Sequence, residues 1–172
     1  QAQTFDHIRS GKDLIGRART GMGKTLAFAI PVIEKLLSAK TALKPGRHPR
    51  VLVMAPTREL AKQVSSDFEQ TAPSLRITCI YGGAPYRPQE DALRRGLDVV
   101  VGTPGRLLDH VGRGTLQLGD AEFIILDEAD QMLDMGFKEE MEKVFQACGE
   151  EGEQGRQMLL FSATMPPWVN KV

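Results

Sequence analysis

Residues 123–130 read FIILDEAD, an apolar run that ends in three acidic side chains. A second run, VLVMA at residues 51–55, is apolar at every position. Short runs of this kind are typical of strands buried on both faces of a parallel sheet. Outward from these two runs, the pattern predicts further strands at residues 13–17, 75–81, 98–101 and 157–161. It predicts helices at residues 24–39, 58–70, 88–95 and 104–111, and helical segments from the acidic residues to about residue 147. This alternation predicts an α/β domain whose mostly parallel sheet is flanked by helices on both faces, with ligands at the carboxyl ends of the strands.

The composition is that of one soluble globular domain. The chain has 172 residues, 41% of them hydrophobic, and no apolar run approaches the roughly 20 residues that span a bilayer. The first residues show no basic segment followed by an apolar stretch, as a secretory signal would. Cys79 and Cys148 lie far apart without CxxC spacing, which argues against a disulfide framework. We therefore expect an intracellular protein in a reducing compartment, with no membrane span.

The net charge of zero conceals an asymmetry along the chain. Residues 1–106 carry 17 Lys and Arg against 9 Asp and Glu, whereas residues 107–172 carry 5 against 13. Residues 40–50, which read KTALKPGRHPR, belong to the basic part and are predicted to form a surface loop. A basic region can meet phosphates, but charged runs are more often solvated surfaces. The asymmetry supports a phosphate-bearing ligand only together with motifs that bind phosphate.

Residues 18–25 read ARTGMGKT and lie between a predicted strand and a predicted helix. Backbone N–H groups in such a turn, with the N-terminus of the helix, bind phosphate oxygens. Lys24 would reach the β- and γ-phosphates of a nucleotide, and Thr25 would take Mg²⁺. The usual pattern begins with glycine, and Ala18 stands in that place; the alternative is a glycine turn that caps an amphipathic helix. The predicted nucleotide site comprises Ala18, Arg19, Thr20, Gly21, Met22, Gly23, Lys24 and Thr25.

Asp127 and Glu128 follow the FIIL run directly. A carboxylate here, across the sheet from the phosphate loop, can hold Mg²⁺ while a neighbouring glutamate orients the attacking water. An acidic pair after a strand is common and indicates little alone. About a hundred residues after a phosphate loop in an α/β chain, it is interpreted as the metal and catalytic pair, with Lys24 as the third catalytic residue.

Two further motifs, PTREL at residues 56–60 and TPGR at residues 103–106, each follow a buried strand and begin a helix. One interpretation is helix capping, with Thr57 or Thr103 as the N-cap and Pro104 at the first helical position. The other is a site for a nucleic-acid phosphate at a helix N-terminus. The residues alone favour neither. Gly82 and Gly83, after the strand that ends at Tyr81, either allow a ligand to approach the backbone or form a simple turn.

Ser162, Ala163 and Thr164 follow the last predicted strand. Their two hydroxyls could hydrogen-bond the acidic motif, and the alternative is a capped helix start before two prolines. The three histidines, His7, His48 and His110, lack metal-ligand spacing, and no nucleophile triad suggests itself.

The order ARTGMGKT, PTREL, GG, TPGR, DEAD and SAT resembles the N-terminal RecA-like, P-loop domain of DEAD-box ATP-dependent RNA helicases, over essentially the whole chain. The segments YGGAPY, DQMLDMGF and SATMPPWV are similar to the nucleolar RNA helicase II/Gu branch and its plant organellar relatives. The resemblance implies ATP and Mg²⁺ as cofactors, RNA as partner and a nuclear or nucleolar location, with an organelle or the cytoplasm as alternatives.

The resemblance also implies a role for each motif. Gln1 would read the adenine edge, Asp127 would contact Mg²⁺ through water, and Glu128 would position the hydrolytic water. Asp130 would couple to Ser162 and Thr164. The residues expected to face the RNA backbone are Pro56, Thr57, Arg58, Gly83, Thr103, Gly105 and Arg106. Such a surface reads sugars and phosphates with little sequence preference.

The resemblance further implies a monomeric domain clipped at both ends, with a second RecA-like domain in cis that is absent from residues 1–172. That domain carries the family's arginine finger, so this chain alone is expected to bind nucleotide and to be nearly inactive. Two rival functions stay open: a P-loop ATPase acting on DNA, and a non-enzymatic, ATP-gated clamp on RNA.

Overall fold

The computed structural model describes residues 2–17, 24–39, 46–149 and 155–164. Its strands are β1 (Leu14–Arg17), β2 (Val51–Met54), β3 (Ile77–Ile80), β4 (Val99–Gly102), β5 (Phe123–Asp127) and β6 (Gln157–Ser162). Its helices are α1 (Ala2–Arg9), α2 (Lys24–Ser38), α3 (Arg58–Thr71), α4 (Tyr86–Arg94), α5 (Pro104–Gly112), α6 (Ala129–Asp134) and α7 (Lys138–Ala147). Every predicted strand and helix is present.

The six strands form one sheet in the order β1-β6-β5-β2-β4-β3, and all the pairings are parallel. The runs that predicted the central strands, β2 and β5, are buried at every position. Their carboxyl ends therefore lie on one edge of the sheet, next to that of β4, and we call this the carboxyl edge.

Helices cover both faces of the sheet, as predicted. Phe28 of α2 and Phe68 of α3 belong to one core cluster, which also holds Ile8 of α1. Leu93 of α4 and Leu107 of α5 belong to the second cluster on the other face. That second cluster is completed by apolar side chains of α6 and α7, namely Met132, Met141 and Val144. None of the described helices combines the length and the apolar character needed to cross a membrane.

The structure differs from the sequence-based expectation in three places. Helix α1 was not predicted, since its segment is polar on average and the helix is held by Ile8 packing into the core. Helix α4 begins at Tyr86, two residues before the predicted start, because Pro88 is tolerated in a first helical turn. The described part of the predicted loop is not free: Arg47 forms an ion pair with Asp98, and the Arg50 guanidinium binds the Glu122 carboxylate, with Nη2 3.0 Å from Oε2.

Candidate nucleotide and RNA site

Lys24, Asp127 and Glu128 come together at the carboxyl edge, although about a hundred residues separate the lysine from the acidic pair. Lys24 Nζ lies 3.4 Å from Asp127 Oδ1 and 3.7 Å from Glu128 Oε1. The three side chains are 8%, 2% and 12% exposed. The start of α2 supplies the cation, and the end of β5 supplies the carboxylates. The predicted catalytic residues therefore form one buried cluster.

The polar atoms of this cluster are under-satisfied. Lys24 Nζ and Asp127 Oδ1 are buried and make no hydrogen bond to any part of the chain that the structure describes. Apart from their ion pairs with each other and with Glu128, these atoms have hydrogen-bonding capacity to spare, and such capacity in a buried group favours a ligand site. A phosphate oxygen would satisfy the ammonium, and a hydrated cation would satisfy the carboxylate.

The oxygen donors present fit Mg²⁺ shared with phosphates. Mg²⁺ is bound in such sites by one or two protein oxygens together with water and substrate phosphates. Thr25, which is 8% exposed, begins α2 beside Lys24, and Asp127 faces Lys24 from β5. Within the described ranges, no group of three or more His, Cys, Asp or Glu residues could hold a metal by itself.

The protonation of Asp127 is set by its surroundings. Burial raises the pKa of this carboxyl, the Lys24 ammonium lowers it, and the Glu128 carboxylate raises it, with a net shift upward. Ionised Asp127 is therefore stabilised less than it would be in water. A bound cation would offset this penalty, and carboxyls whose pKa is shifted by burial and by neighbouring charges are enriched at functional sites.

Glu128 adopts the left-handed backbone conformation, with φ 56° and ψ 51°. Among the described residues it is the non-glycine residue with positive φ. A side chain in this conformation costs about 1–2 kcal/mol. This left-handed conformation turns the chain from β5 directly into α6 while Asp127 stays in the strand. The carboxylates of Asp127 and Glu128 both face Lys24 as a result. Strain of this kind is concentrated at functional sites.

Asp130, which the resemblance assigns to coupling with Ser162 and Thr164, binds the segment that follows β6. The backbone N–H and the hydroxyl of Thr164 both donate to Asp130 Oδ2 at 3.0 Å. Burial alone would raise the pKa of Asp130, but the two hydrogen bonds from Thr164 hold it below its ordinary value. The Ser162 hydroxyl is near enough to lower this pKa further, yet it is buried and makes no hydrogen bond of normal geometry within the described ranges.

Two of the predicted RNA-facing motifs begin helices at the carboxyl edge. Thr57 caps α3, where its Oγ1 accepts from the Leu60 N–H at 3.2 Å, which confirms the capping interpretation there. Thr103 occupies the N-cap of α5 and Pro104 is at its start, but the Thr103 side chain makes no capping hydrogen bond. The Thr103 hydroxyl is therefore not used by the helix.

Exposed groups of the predicted RNA surface lie beside these caps. The Arg58 side chain is 53% exposed and pairs with Glu59 at 3.1 Å, whereas Pro56 is buried. Gly83 is exposed, with φ 81° and open space where a Cβ would lie. The positive φ favours glycine, and the open space allows a ligand to approach the backbone. Gly105 likewise faces open space.

Arg106 differs from Arg58, the other cation among the predicted RNA residues, because it is only 8% exposed. Its Nη1 donates to the carbonyl oxygen of Ala84 at 2.8 Å and to Gln89 Oε1 at 3.3 Å. The guanidinium carbon lies 4.0 Å from the centroid of the Tyr86 ring. The guanidinium is thus engaged inside the protein, beneath the turn that contains Gly82 and Gly83.

Sequence reasoning missed Gln89, Tyr86 and His110, which surround Arg106. Gln89 and His110 are buried and hydrogen-bonded to each other, with His110 Nε2 3.0 Å from Gln89 Oε1. They are 21 residues apart and on different helices, so no local pattern joins them. The available signal was the position of His110 four residues after Arg106 on the same helical face.

Gln1 and the loop residues Ala18, Arg19, Thr20, Gly21, Met22 and Gly23 lie outside the described residues. The structure therefore leaves their predicted nucleotide contacts untested.

Comparison with known proteins identifies clear relatives. A profile of the family described as DEAD/DEAH box helicase matches residues 1–172. The chain is 53% identical over 173 residues to the nucleolar RNA helicase 2 of Rattus norvegicus, covering 100% of this chain and 22% of that protein. It is 54% identical over 164 residues to the chloroplastic DEAD-box ATP-dependent RNA helicase 3B of Zea mays, covering 94% and 22%. Among solved structures, a DEAD box protein from the hyperthermophile Methanococcus jannaschii has a TM-score of 0.84 at 41% identity, covering 98% of this chain and 44% of that one. The chain thus spans about a fifth of the length of the two curated relatives.

Proposed function

Because this chain belongs to the DEAD/DEAH box helicase family, we propose that it is the ATP-binding RecA-like domain of an ATP-dependent RNA helicase. The observation that carries the proposal is the buried cluster of Lys24, Asp127 and Glu128 at the carboxyl edge, with its under-satisfied ammonium and carboxylate. In this function the protein couples the binding and hydrolysis of ATP to RNA binding and local duplex separation.

Each member of the nucleotide site has a separate role in the proposal. Lys24 exchanges its contacts with the two carboxylates for contacts with the β- and γ-phosphates. Thr25 and Asp127 hold Mg²⁺, which when bound neutralises charge on the phosphates. Glu128 orients the attacking water. The loop of residues 18–23 cradles the phosphates through its backbone N–H groups, and Gln1 reads the adenine.

The hydrogen bonds between Asp130 and Thr164 suggest how the nucleotide site communicates with the rest of the domain. Asp130 lies two residues after Glu128, and Thr164 lies two residues after the end of β6. A shift of the acidic motif on hydrolysis would be passed to the segment after β6 through these bonds. We assign Asp130, Ser162 and Thr164 to this coupling.

The RNA surface of the proposal lies along the carboxyl edge from β2 through β4 to β3. It is formed by Pro56, Thr57, Arg58, Gly83, Thr103 and Gly105, while Arg106 acts through the turn beneath which it lies. Exposed backbone and hydroxyl groups of this kind contact sugars and phosphates and carry no sequence information directly.

The rest of the cleft is proposed to come from a second RecA-like domain in the same polypeptide. The proposal agrees with the greater length of the relatives. The domain itself is proposed to be monomeric. An intracellular location, nuclear or nucleolar, is proposed by similarity to a relative named as nucleolar; the chloroplastic relative makes an organelle the alternative.

We expect residues 1–172 alone to bind ADP weakly, to show almost no RNA-stimulated ATPase and to separate no duplex. An arginine finger supplies roughly 10³- to 10⁵-fold in hydrolysis, and in this family it comes from the second domain. The measurement is steady-state phosphate release with and without single-stranded RNA, beside a duplex-separation assay. Robust RNA-stimulated turnover by these 172 residues would contradict the two-domain mechanism.

In the full-length protein, Arg58→Ala is expected to weaken RNA binding to a similar extent for all sequences. The exposed guanidinium would neutralise a backbone phosphate, so its loss should reduce the slope of log K against log salt by about 0.7 for a single strand. Binding of fluorescently labelled RNAs of different sequence, titrated over a range of salt, tests this. A changed sequence preference with an unchanged slope would mean that Arg58 reads bases.

The same full-length protein distinguishes the two rival functions. ATPase stimulated by DNA as strongly as by RNA would favour the DNA-directed enzyme. ATP-dependent RNA binding without separation of a short duplex would favour the clamp.

A further inference from the structure

A buried glutamine holds one end of the turn that contains Gly82 and Gly83. Gln89, in α4, is 6% exposed, and its Nε2 donates to the carbonyl oxygen of Tyr81 at 3.2 Å. Its Oε1 accepts from His110 Nε2 at 3.0 Å and from Arg106 Nη1 at 3.3 Å. One side chain thus connects the start of the turn to two residues of α5.

Arg106 holds the other end of the same turn. Its Nη1 donates to the carbonyl oxygen of Ala84 at 2.8 Å. The guanidinium also stacks on Tyr86, whose hydroxyl donates to Asp109 Oδ2 at 2.9 Å. The carbonyl groups at both ends of residues 81–84 are therefore bound by Gln89 and Arg106, and these two side chains are bound to each other.

Arg106 and Tyr81 determine which way the Gln89 amide points, because a guanidinium can only donate and a carbonyl can only accept. His110 then contacts the amide oxygen. Burial lowers the pKa of His110, as do Arg106 and Arg113, while Glu90 and Asp109 oppose the shift. The ring is therefore neutral and has one N–H, and the contact with the amide oxygen places this proton on Nε2. Nδ1 lies 2.8 Å from the oxygen of the Thr115 hydroxyl, which also donates to the carbonyl oxygen of His110 at 3.1 Å. With the amide oxygen committed to Arg106 and His110, the amide N–H₂ is left for Tyr81.

Packing does little to hold the turn itself. A Cβ added at Gly82 or Gly83 would meet no atom within 4 Å, and both residues are exposed. The position of the turn therefore depends on the hydrogen bonds at its two ends. The turn ends β3, next to Thr103 at the end of β4, on the surface proposed for RNA.

We propose that Gln89, hydrogen-bonded to Arg106 and His110, is a positioning residue that sets the two-glycine turn for contact with an RNA backbone. The inference rests on the proposed function and adds to it a site that touches no nucleotide. It also gives Arg106 an indirect role, since its side chain is 8% exposed and its Nη1 is committed to Ala84 and Gln89.

The experiment measures RNA affinity, salt dependence and ADP affinity of full-length variants. Gln89→Met keeps the volume and removes both hydrogen-bonding ends; Gln89→Asn keeps the amide but is too short to join Tyr81 to His110. Both are expected to bind single-stranded RNA several-fold more weakly, with the salt slope and the ADP affinity unchanged, because no cation is lost. Gln70→Met, an exposed position at the far end of α3, is the matched control and should behave as the parent.

Arg106→Met tests the indirect role of the arginine. It should reproduce Gln89→Met in affinity and leave the salt slope unchanged, and the double variant should be no weaker than the weaker single variant. Unchanged RNA affinity of both Gln89 variants would overturn the inference. So would additive effects together with a slope reduced by about 0.7 in Arg106→Met, which marks a direct phosphate contact. Failure of the parent to bind RNA at all would instead contradict the proposed function.

Discussion

Replacement of Lys24 by alanine is expected to abolish the binding of ATP and ADP. The Lys24 ammonium is the cation beside Asp127 and Glu128 in the described structure, and its side chain is 8% exposed. Removing one partner of a buried charge pair costs about 2–5 kcal/mol, so the affinity for ADP should fall by on the order of 100-fold or more. Without the Lys24 ammonium between them, the carboxylates of Asp127 and Glu128 would also repel the phosphates of the nucleotide.

The affinity for ADP is measured by isothermal titration calorimetry, in which ADP with Mg²⁺ is titrated into the folded variant. Lys143→Ala is the matched control, because Lys143 is exposed on α7 and pairs with Glu139 of the same helix. Circular dichroism should first establish that both variants keep the parental helix content. An unchanged ADP affinity in folded Lys24→Ala would overturn the phosphate-site assignment.

Replacement of Glu128 by glutamine is expected to leave nucleotide binding nearly intact and to block hydrolysis in the full-length protein. The amide preserves the size of the side chain and its left-handed backbone, but it lacks the negative charge that orients water. Proton-transferring and water-orienting carboxylates contribute about 10²- to 10⁴-fold to a rate, so turnover should fall by that order.

Phosphate release at saturating ATP and RNA measures this effect, and ADP titration provides the binding readout. Glu142→Gln, exposed on α7 and paired with Lys138, removes one carboxylate elsewhere and should hydrolyse ATP at the parental rate. If Glu128→Gln also turns over at the parental rate, Glu128 is not catalytic. A large loss of ADP affinity would assign it to phosphate or metal binding instead.

Much of the fold could be predicted because short apolar runs in the sequence indicate which segments are buried. VLVMA and FIIL contain no polar side chain and are short and rich in β-branched residues, which favours strands of a covered sheet, and they form the two central strands β2 and β5. The motifs at strand ends could likewise be located, because the carboxyl ends of parallel strands share one edge. The composition and order of these segments were therefore sufficient for the architecture and for the residues Lys24, Asp127 and Glu128.

Other features of the molecule were decided only by the tertiary structure. The sequence of helix α1 is polar on average and does not by itself require a helix. The helix is stabilised because Ile8 packs into the core. The left-handed backbone of Glu128 is stable because β5 and α6 hold it from both sides.

Arg106 illustrates the same limit most clearly. The TPGR motif predicts a cation at a helix start, whereas the bonds of Arg106 to Ala84 and Gln89 come from the two-glycine turn and from helix α4. Chain sequence determines which groups are available at the carboxyl edge. The packing of α4 against α5 determines which of them face solvent and which hold the turn in place, because hydrogen bonds between distant residues follow from the positions of the elements that carry them.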